Sequence, residues 1–392
     1  MALGVYVHIP FCASKCDYCD FATWTDRSAL IDDYVDACET DVRNRVRDGT
    51  LDAATSVFVG GGTPSLLPAG TLARILDEIP TVADAEVTVE CNPESIDAAK
   101  LARYRAAGVN RCSFGVQSFR PHVLAALGRR HDVPAVTRAV DAARDHGFET
   151  FNLDLIYGAV GESPDDWRAT LDATLALDPP HVSAYALTIE PATTLGQRVA
   201  AGSVPAPDDD DQAAKYERTD DVLTAAGLDW YEISNWSRPG HECRHHLLYW
   251  DQGDYVPIGC AAHGHQSGHR TWNVRTPERY IERIRAGVTP ETGGERLDAA
   301  TRAEEAFALA LRTRGGAVPP PGTGAEVDDL IAAGLLTRAR PAPTPAPVGG
   351  RGSGQAGGRV TLTRRGRLLA SAVTVRLLAA APTPPRIPIG TR

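Results

Sequence analysis

"YVHIPFCASKCDYCDF", residues 6–21, runs from a β-forming stretch into three cysteines, Cys12, Cys16 and Cys19, set within eight positions. The apolar run Val5 to Ile9 reads as a strand, so the C-x3-C-x2-C segment is the loop that leaves its carboxyl end. A loop this short can wrap three thiolates around one metal centre. A structural zinc takes four ligands, usually as two separated pairs, and only His8, Asp17 or Asp20 stand near enough in sequence to complete a tetrahedron. Three thiolates on a 4Fe-4S cluster leave one iron open to a small molecule, which suits this spacing better than zinc. Uncoordinated thiols are the third reading.

Outward from this loop the pattern repeats. Strand-like runs recur at Ser56 to Val59, Glu86 to Glu90, Arg111 to Val116, Thr150 to Ile156 and His181 to Ile189. Helical patterns fall between them. In the first, Ile31, Val35, Cys38, Val42 and Val46 step by three or four and share one face. Leu72 to Ile79, Ala98 to Ala107, Val136 to His146 and Asp165 to Leu177 follow, two of them closed by Gly108 and Gly147, since glycine enters the left-handed region without a Cβ penalty. Alternating strands and helices require a parallel sheet with helical crossovers. Periodicity alone leaves an open doubly wound sheet and a partial barrel both standing. In either, functional residues gather at the carboxyl ends of the strands, where the cysteine loop, Gly60 to Thr63, Glu90 to Asn92, Gln117 and Asp154 all fall.

Residues 1–205 thus form the repeating α/β core. PAPDDDD, residues 205–211, reads as a polar connection, and residues 206–298 include an aromatic and His-rich stretch from Trp230 to Trp272. Residues 299–381 carry helical patterns at 299–313 and 326–336, a strand at 361–363 and a last helix at 367–378, the order of a small winged-helix-like module. The Pro- and Gly-rich segment 340–359 and the tail 382–392 read as disordered.

The formal charge of -10 over 392 residues excludes a general polyanion binder and argues against a nucleic-acid partner. No apolar run reaches the roughly 18 residues of a membrane span, and the N-terminus has neither a basic nor a long apolar leader region, so a cytoplasmic location is expected. Eight cysteines are too sparse for a disulfide scaffold; Cys38, Cys91, Cys112, Cys243 and Cys260 read as small buried apolar residues.

The cysteine spacing after a first strand, with Tyr18 before the third cysteine, resembles the radical S-adenosylmethionine (SAM) superfamily. That resemblance implies a partial (β/α)6 barrel, a 4Fe-4S cluster on Cys12, Cys16 and Cys19, and SAM on the open iron, cleaved by one electron to methionine and a deoxyadenosyl radical. GGGTP, residues 60–64, resembles the glycine motif that meets the methionyl end of SAM. Over nearly its full length the chain resembles the oxygen-independent coproporphyrinogen III oxidase group and the haem chaperones related to it, through FVGGGTPSLL (58–67), VECNPE (89–94), FGVQSF (114–119), LGRRH (127–131), NLDLIYG (152–158) and HHLLYWDQGDYVPIGCAAHG (245–264). The resemblance makes Tyr6 and Tyr18 flank the cluster, and makes Gly61, Gly62, Thr63, Glu90, Gln117, Arg129 and Asp154 SAM contacts. Without it, the two carboxylates and Arg129 would read as a barrel-top cap or salt bridge.

Two departures separate the branches. The oxidases carry a further cysteine where Phe21 stands, and a longer N-terminal segment than the eleven residues before Cys12. Both features resemble the chaperone branch. HHLLYW, residues 245–250, resembles the H-N-x-x-Y-W motif held to engage haem, with His245, Tyr249 and Trp250 in register and His246 in place of asparagine. On the residues alone, a histidine in an aromatic segment is commonly a satisfied core residue. The expected function is therefore a haem chaperone that binds a cluster, SAM and haem. Its expected partners are haem and haem-accepting proteins, respiratory ones among them, with a homodimer left open. The alternatives are coproporphyrinogen III oxidative decarboxylation and a zinc-stabilised interaction barrel.

Overall fold

Strand β1 (Leu3–Ile9) pairs in parallel with β2 (Ala54–Gly61), and parallel pairing continues stepwise through β3 (Thr81–Cys91), β4 (Arg111–Gln117), β5 (Thr150–Tyr157) and β6 (His181–Ala186). The computed structural model describes residues 2–339 and 358–382. Between successive strands run α1 (Ile31–Arg47), α2 (Ala69–Glu78), α3 (Ala98–Ala106), α4 (Pro121–Ala126) with α5 (Val133–Asp145), and α6 (Pro164–Ala176). Each expected core strand and helix is present, and boundaries differ by a few residues. Strand β6 stops at Ala186, short of the expected Ile189, and α4 was not legible as a helix: it is six residues opened by Pro121.

The sheet is built on a period of two. Val5, Val7 and Ile9 of β1, Val57 and Val59 of β2, and Phe151, Leu153 and Leu155 of β5 are buried, as are Val35, Cys38 and Val42 of α1, the middle of the stripe expected from its spacing; at its ends Ile31 is half-buried and Val46 is exposed. Burying one such side chain stabilises the fold by roughly 1.5–3 kcal/mol before entropy is counted. Apart from the aromatics Tyr6 and Phe58, most alternate strand positions are polar or small: Ser56 and Gly60 on β2, Glu86, Thr88 and Glu90 on β3, Ser113 on β4, Asn152 and Asp154 on β5, His181 and Ser183 on β6. This second face lines an interior. In a flat sheet, strands about 4.8 Å apart would set β1 and β6 roughly 24 Å from each other. Instead one cavity of about 470 Å³ meets residues at or just beyond the carboxyl ends of all six, so the sheet curls around it as a partial barrel.

Helix α7 (Thr194–Ala200) follows β6, and α8 (Asp209–Ala225) comes next. The acidic run is not simply a connection: Asp208 caps α8 by accepting from the Asp211 amide at 2.8 Å, and Asp209, Asp210 and Asp211 form its first turn, where the helix dipole favours negative charge. The His-rich stretch then supplies β7 (Asp229–Glu232), β8 (Asn235–Ser237), helix α9 (Arg244–Trp250), β9 (Asp254–Ile258), β10 (His263–Gln266) and β11 (His269–Asn273), and α10 (Pro277–Arg285) and β12 (Glu291–Arg296) follow it. Strand β8 joins β6 antiparallel, while β9 pairs in parallel with β1 and carries β10, β11 and β12 outward as an antiparallel meander.

The chain divides into two compact units. The larger comprises Ala2–Trp230 and Ser234–Leu297. The smaller takes in Tyr231–Ile233 and the residues from Asp298 onward, and contains α11 (Ala299–Ala310), α12 (Gly324–Ala332), β13 (Leu336–Arg338), β14 (Val360–Leu362), α13 (Arg364–Leu368) and α14 (Ala370–Ala380). Strands β13 and β14 pair antiparallel over a core that includes Leu311, Leu330, Val373 and Leu377. The single last helix expected at 367–378 is in fact two, broken at Leu369. Gly366 sits so close to Leu335 that a Cβ there would lie 2.0 Å from its carbonyl oxygen. Of the segment 340–359 read as disordered, residues 340–357 lie outside the described residues, as does the tail beyond Pro382. Arg359 is anchored by donating to the carbonyls of Gly315 at 3.0 Å and Gly316 at 2.5 Å.

Candidate functional site

The cysteine loop lies across the carboxyl end of β1 and is tied down along its length. The Cys12 amide donates to the Trp24 carbonyl at 3.0 Å, and the Trp24 amide to the Pro10 carbonyl at 2.8 Å. The Asp17 amide bonds the Leu127 carbonyl at 3.3 Å, and its own carbonyl accepts from Leu195 at 2.8 Å. Cys12, Cys16 and Cys19 are free thiols, partly exposed, and all three line the 470 Å³ cavity. Among the described residues, no three His, Cys, Asp or Glu side chains converge at the spacing of a single metal ion. The five isolated cysteines are all buried, as expected of small apolar residues.

Burial pushes the Cys12 thiol up, with the Thr63 hydroxyl opposing, and pushes Cys19 up to about 11. Left without a metal these two thiols are neutral, so any metal bound here displaces their protons. The Thr63 hydroxyl lies 3.6 Å from Cys12 Sγ and accepts from Asn92 Nδ2 at 3.3 Å. Asn92 Oδ1 in turn accepts from Arg129 at 2.9 Å, and the same guanidinium donates to the Gly115 carbonyl at 2.6 Å and reaches Cys16 Sγ at 3.7 Å. A polar chain therefore joins two of the three cysteines through Thr63, Asn92 and Arg129. The Nε of Arg129 is buried with no hydrogen-bond partner among the described residues. The sequence reading placed Asn92 at the carboxyl end of the third strand but gave it no role of its own; it sits one residue past β3.

Gly60 to Thr63 extend β2 against the end of β1. The Gly62 amide donates to the Ile9 carbonyl at 2.7 Å and the Thr63 amide to the Phe11 carbonyl at 2.9 Å. A Cβ on Gly62 would lie 2.7 and 2.8 Å from the Phe11 and Ile9 carbonyl oxygens and 3.0 Å from Cys12 Sγ. Gly61, at φ +108, would place one 2.5 Å from the His8 ring. Both positions require glycine on steric grounds. The Gly61 amide donates to Glu90 Oε2 at 3.1 Å, which fixes that carboxylate at the cavity wall.

Glu90 faces Asp154 across the interior. Burial first, and the Asp154 charge second, push Glu90 up to about 7. Burial also raises Asp154, opposed by hydrogen bonds from Ser113 at 2.8 Å and Asn152 at 2.7 Å. Gln117, at the end of β4, holds a left-handed φ of +65 and lines the same cavity, a strained non-glycine conformation of the kind found at ligand sites. Tyr18 lines it too, and burial raises its hydroxyl. The structure thus brings together Cys12, Cys16, Cys19, Tyr18, Gly61, Gly62, Thr63, Glu90, Gln117, Arg129 and Asp154.

Tyr6, His245, Tyr249 and Trp250 do not line that cavity. Helix α9 lies on the interior face of β1–β3. Its first amides, Arg244 and His245, both donate to the Glu86 carboxylate at 3.0 Å. His245 is fully buried, its Nδ1 hydrogen-bonded with Ser56 Oγ at 2.9 Å and its Nε2 with Tyr249 Oη at 2.7 Å. Burial lowers it to about 3, so the ring stays neutral. The Phe58 ring stacks 5.5 Å from His245 on one side and 6.4 Å from Tyr6 on the other. Tyr6 and Tyr249 instead line a second cavity, of about 300 Å³, with His8, Phe21, Ala22, Tyr255, Ala261 and His263. Trp250 is half-buried and lines neither cavity.

A cysteine loop and a glycine turn facing buried carboxylates at the mouth of a six-stranded parallel partial barrel define a class. Residues 6–174 match the radical SAM superfamily model, and the fold agrees: the structure of coproporphyrinogen III oxidase (HemN) from Escherichia coli, described as a radical SAM enzyme, aligns with a TM-score of 0.79 at 21% identity over 96% of this chain and 90% of that one. Full-length sequence likeness narrows the class. The "Heme chaperone HemW" of Mycobacterium tuberculosis (strain CDC 1551 / Oshkosh) is 42% identical over 388 residues, 96% of this chain and 94% of that protein, and that of Escherichia coli (strain K12) is 42% identical over 67% and 70%. The mouse "Radical S-adenosyl methionine domain-containing protein 1, mitochondrial" is 34% identical over 85% and 81%. The chain belongs to the heme chaperone HemW family.

Proposed function

We propose that this protein binds haem and hands it to haem-accepting proteins, on a radical SAM scaffold that holds a 4Fe-4S cluster and SAM. The observation that carries this reading is the 42% identity to HemW of Mycobacterium tuberculosis along 94% of that protein's length. The residues fit a cluster: three free thiols turn into one cavity, Gly62 leaves room beside Cys12 Sγ that a Cβ would fill, and the guanidinium of Arg129 reaches Cys16. Cys12, Cys16 and Cys19 would hold the cluster, which when bound supplies one electron to SAM.

The chain's own residues do the remaining work. Gly61, Gly62 and Thr63 shape a close-fitting wall. Glu90 and Asp154 offer carboxylate acceptors for amino or hydroxyl groups of SAM, and with Glu90 raised to about 7 one of the pair is readily protonated near neutrality. Arg129 brings positive charge to the thiolates, and Gln117 and Tyr18 close the cavity around the ligand. The recipients on this reading are haem proteins, respiratory ones among them, and the location is the cytoplasm. Among the described residues no helix is long and apolar enough to cross a membrane. Residues 1–205 would act as the SAM core, 206–298 as the haem-motif region and 299–381 as the winged-helix-like module.

The test is a transfer assay. The full chain, purified without oxygen and loaded with haem, is mixed with an apo-haem protein, and the acceptor's absorbance is followed. Transfer faster than from free haem supports the reading. Absence of transfer, together with SAM-dependent decarboxylation of coproporphyrinogen III, would replace it with the oxidase.

A further inference from the structure

The 300 Å³ cavity is walled by tyrosines and opens beside the cysteine loop. Tyr249 and Tyr255 meet edge to face at 4.7 Å and 71°, and Tyr6 lies behind them. Phe21 touches both this cavity and the larger one, and is 60% exposed. A large aromatic left in solvent at the seam of two cavities invites a flat apolar ligand. Ala261 in the wall holds a left-handed φ of +55, which turns the chain from β9 so that the first residue of β10 stands at the rim.

That rim residue is His263. It is exposed, its ring lies 6.1 Å from Trp272, and neither of its nitrogens has a hydrogen-bond partner among the described residues. The other histidines of the stretch differ. His245 has both nitrogens engaged and no exposure. His265 is buried, with Nδ1 bonded to the Gly253 carbonyl at 3.0 Å. A metal ligand needs a neutral imidazole with a free lone pair on an accessible face.

Resting on the haem-chaperone reading, we infer that haem docks in this second cavity with His263 as its axial ligand and Tyr249 and Tyr255 against the macrocycle, and that His245 is a positioning residue. A cavity of about 300 Å³ takes only part of the macrocycle and leaves the rest in solvent, an arrangement that suits cargo meant to be released. His245 acts through its 2.7 Å hydrogen bond to Tyr249 Oη, which holds that ring in the wall. Phe21 forms the partition towards the cysteine loop.

The experiment is an anaerobic titration of the full chain with ferric haem, read by absorbance and electron paramagnetic resonance, on the unmutated protein, His263→Ala and His245→Gln. The unmutated protein is expected to bind saturably with an imidazole-ligated spectrum. His263→Ala should lose that signature and bind at least tenfold more weakly, and free imidazole should restore the signature. His245→Gln, which can keep hydrogen bonds to Ser56 and Tyr249, should retain it. An unchanged spectrum and affinity in His263→Ala overturns the assignment, as does loss of the signature in His245→Gln with His263→Ala intact. Absence of saturable binding by the unmutated protein refutes the haem-chaperone reading itself, a separate result from either.

Discussion

Glu90→Gln separates the electrostatics of the interior from its packing. Glutamine keeps an acceptor for the Gly61 amide, 3.1 Å from Oε2, and removes only the ionisation. The folded chain holds Glu90 near 7, against an ordinary value of 4.5, chiefly by burial and then by the Asp154 charge. A raised carboxyl pKa means that the folded state binds the proton more tightly than the unfolded state does. Its stabilising effect is therefore complete below pH 4.5 and is lost as pH rises towards 7. The rise from 4.5 to about 7 amounts, at about 1.36 kcal/mol per pH step, to about 3 kcal/mol in all, most of it lost between pH 5 and 8. Urea midpoints of the cluster-free protein, followed by tryptophan fluorescence at pH 5, 6, 7 and 8, measure it. The unmutated chain should lose stability steadily over that range relative to Glu90→Gln, which should be the more stable of the two at pH 8. Parallel pH profiles would refute the reasoning, because they would mean that the carboxylate is solvated in the folded state.

Gly62→Ala drives a methyl against two carbonyl oxygens at 2.7 and 2.8 Å and against Cys12 Sγ at 3.0 Å, neighbours that are backbone or a proposed ligand. We expect a cost of about 1–3 kcal/mol by denaturation and a lowered iron content per chain after anaerobic reconstitution; full iron loading would count against the cluster assignment. Cys19, held near 11, should be alkylated by iodoacetamide in the cluster-free protein at a rate that climbs roughly tenfold per pH unit from 7 to 9, read by mass spectrometry. A rate that levels off below pH 9 would show that the thiol is not held up by burial.

Much of the core was legible because its two periods are clean. The apolar stripe of α1 and the β-branched runs of β1, β2 and β5 each follow from one residue's neighbours along the chain. The inner face was harder to read. Ser56, Glu86, Ser113, Asn152 and Ser183 alternate with buried apolar residues, yet a polar alternation reads as solvent-facing until the sheet is known to curl. The Cys–Thr63–Asn92–Arg129 chain was half visible, since each residue sits near a strand's carboxyl end while its partners lie tens of residues away. His245 shows the limit most plainly. Its sequence neighbours alone favour a core residue while the motif favours a ligand, and only the placement of α9 against Ser56 and Glu86 reveals that both its nitrogens are occupied.

That placement explains why the motif has its spacing. A seven-residue helix is marginal in isolation, so α9 depends on what seats it. Glu86 accepts from its first two amides, placing negative charge at the positive end of the helix dipole. Leu248 fills the space that Gly4 leaves open: a Cβ on Gly4 would lie 2.6 Å from Leu248 Cδ2 and 3.0 Å from His245 Cε1. With the helix so fixed, residues four apart stack on one face, and His245 meets Tyr249 at a ring distance of 4.8 Å. The buried imidazole is thereby bonded to β2 on one side and to the wall of the outer cavity on the other. A histidine at this position can govern a ligand it does not touch, because moving it would release Tyr249 from the face that the ligand meets.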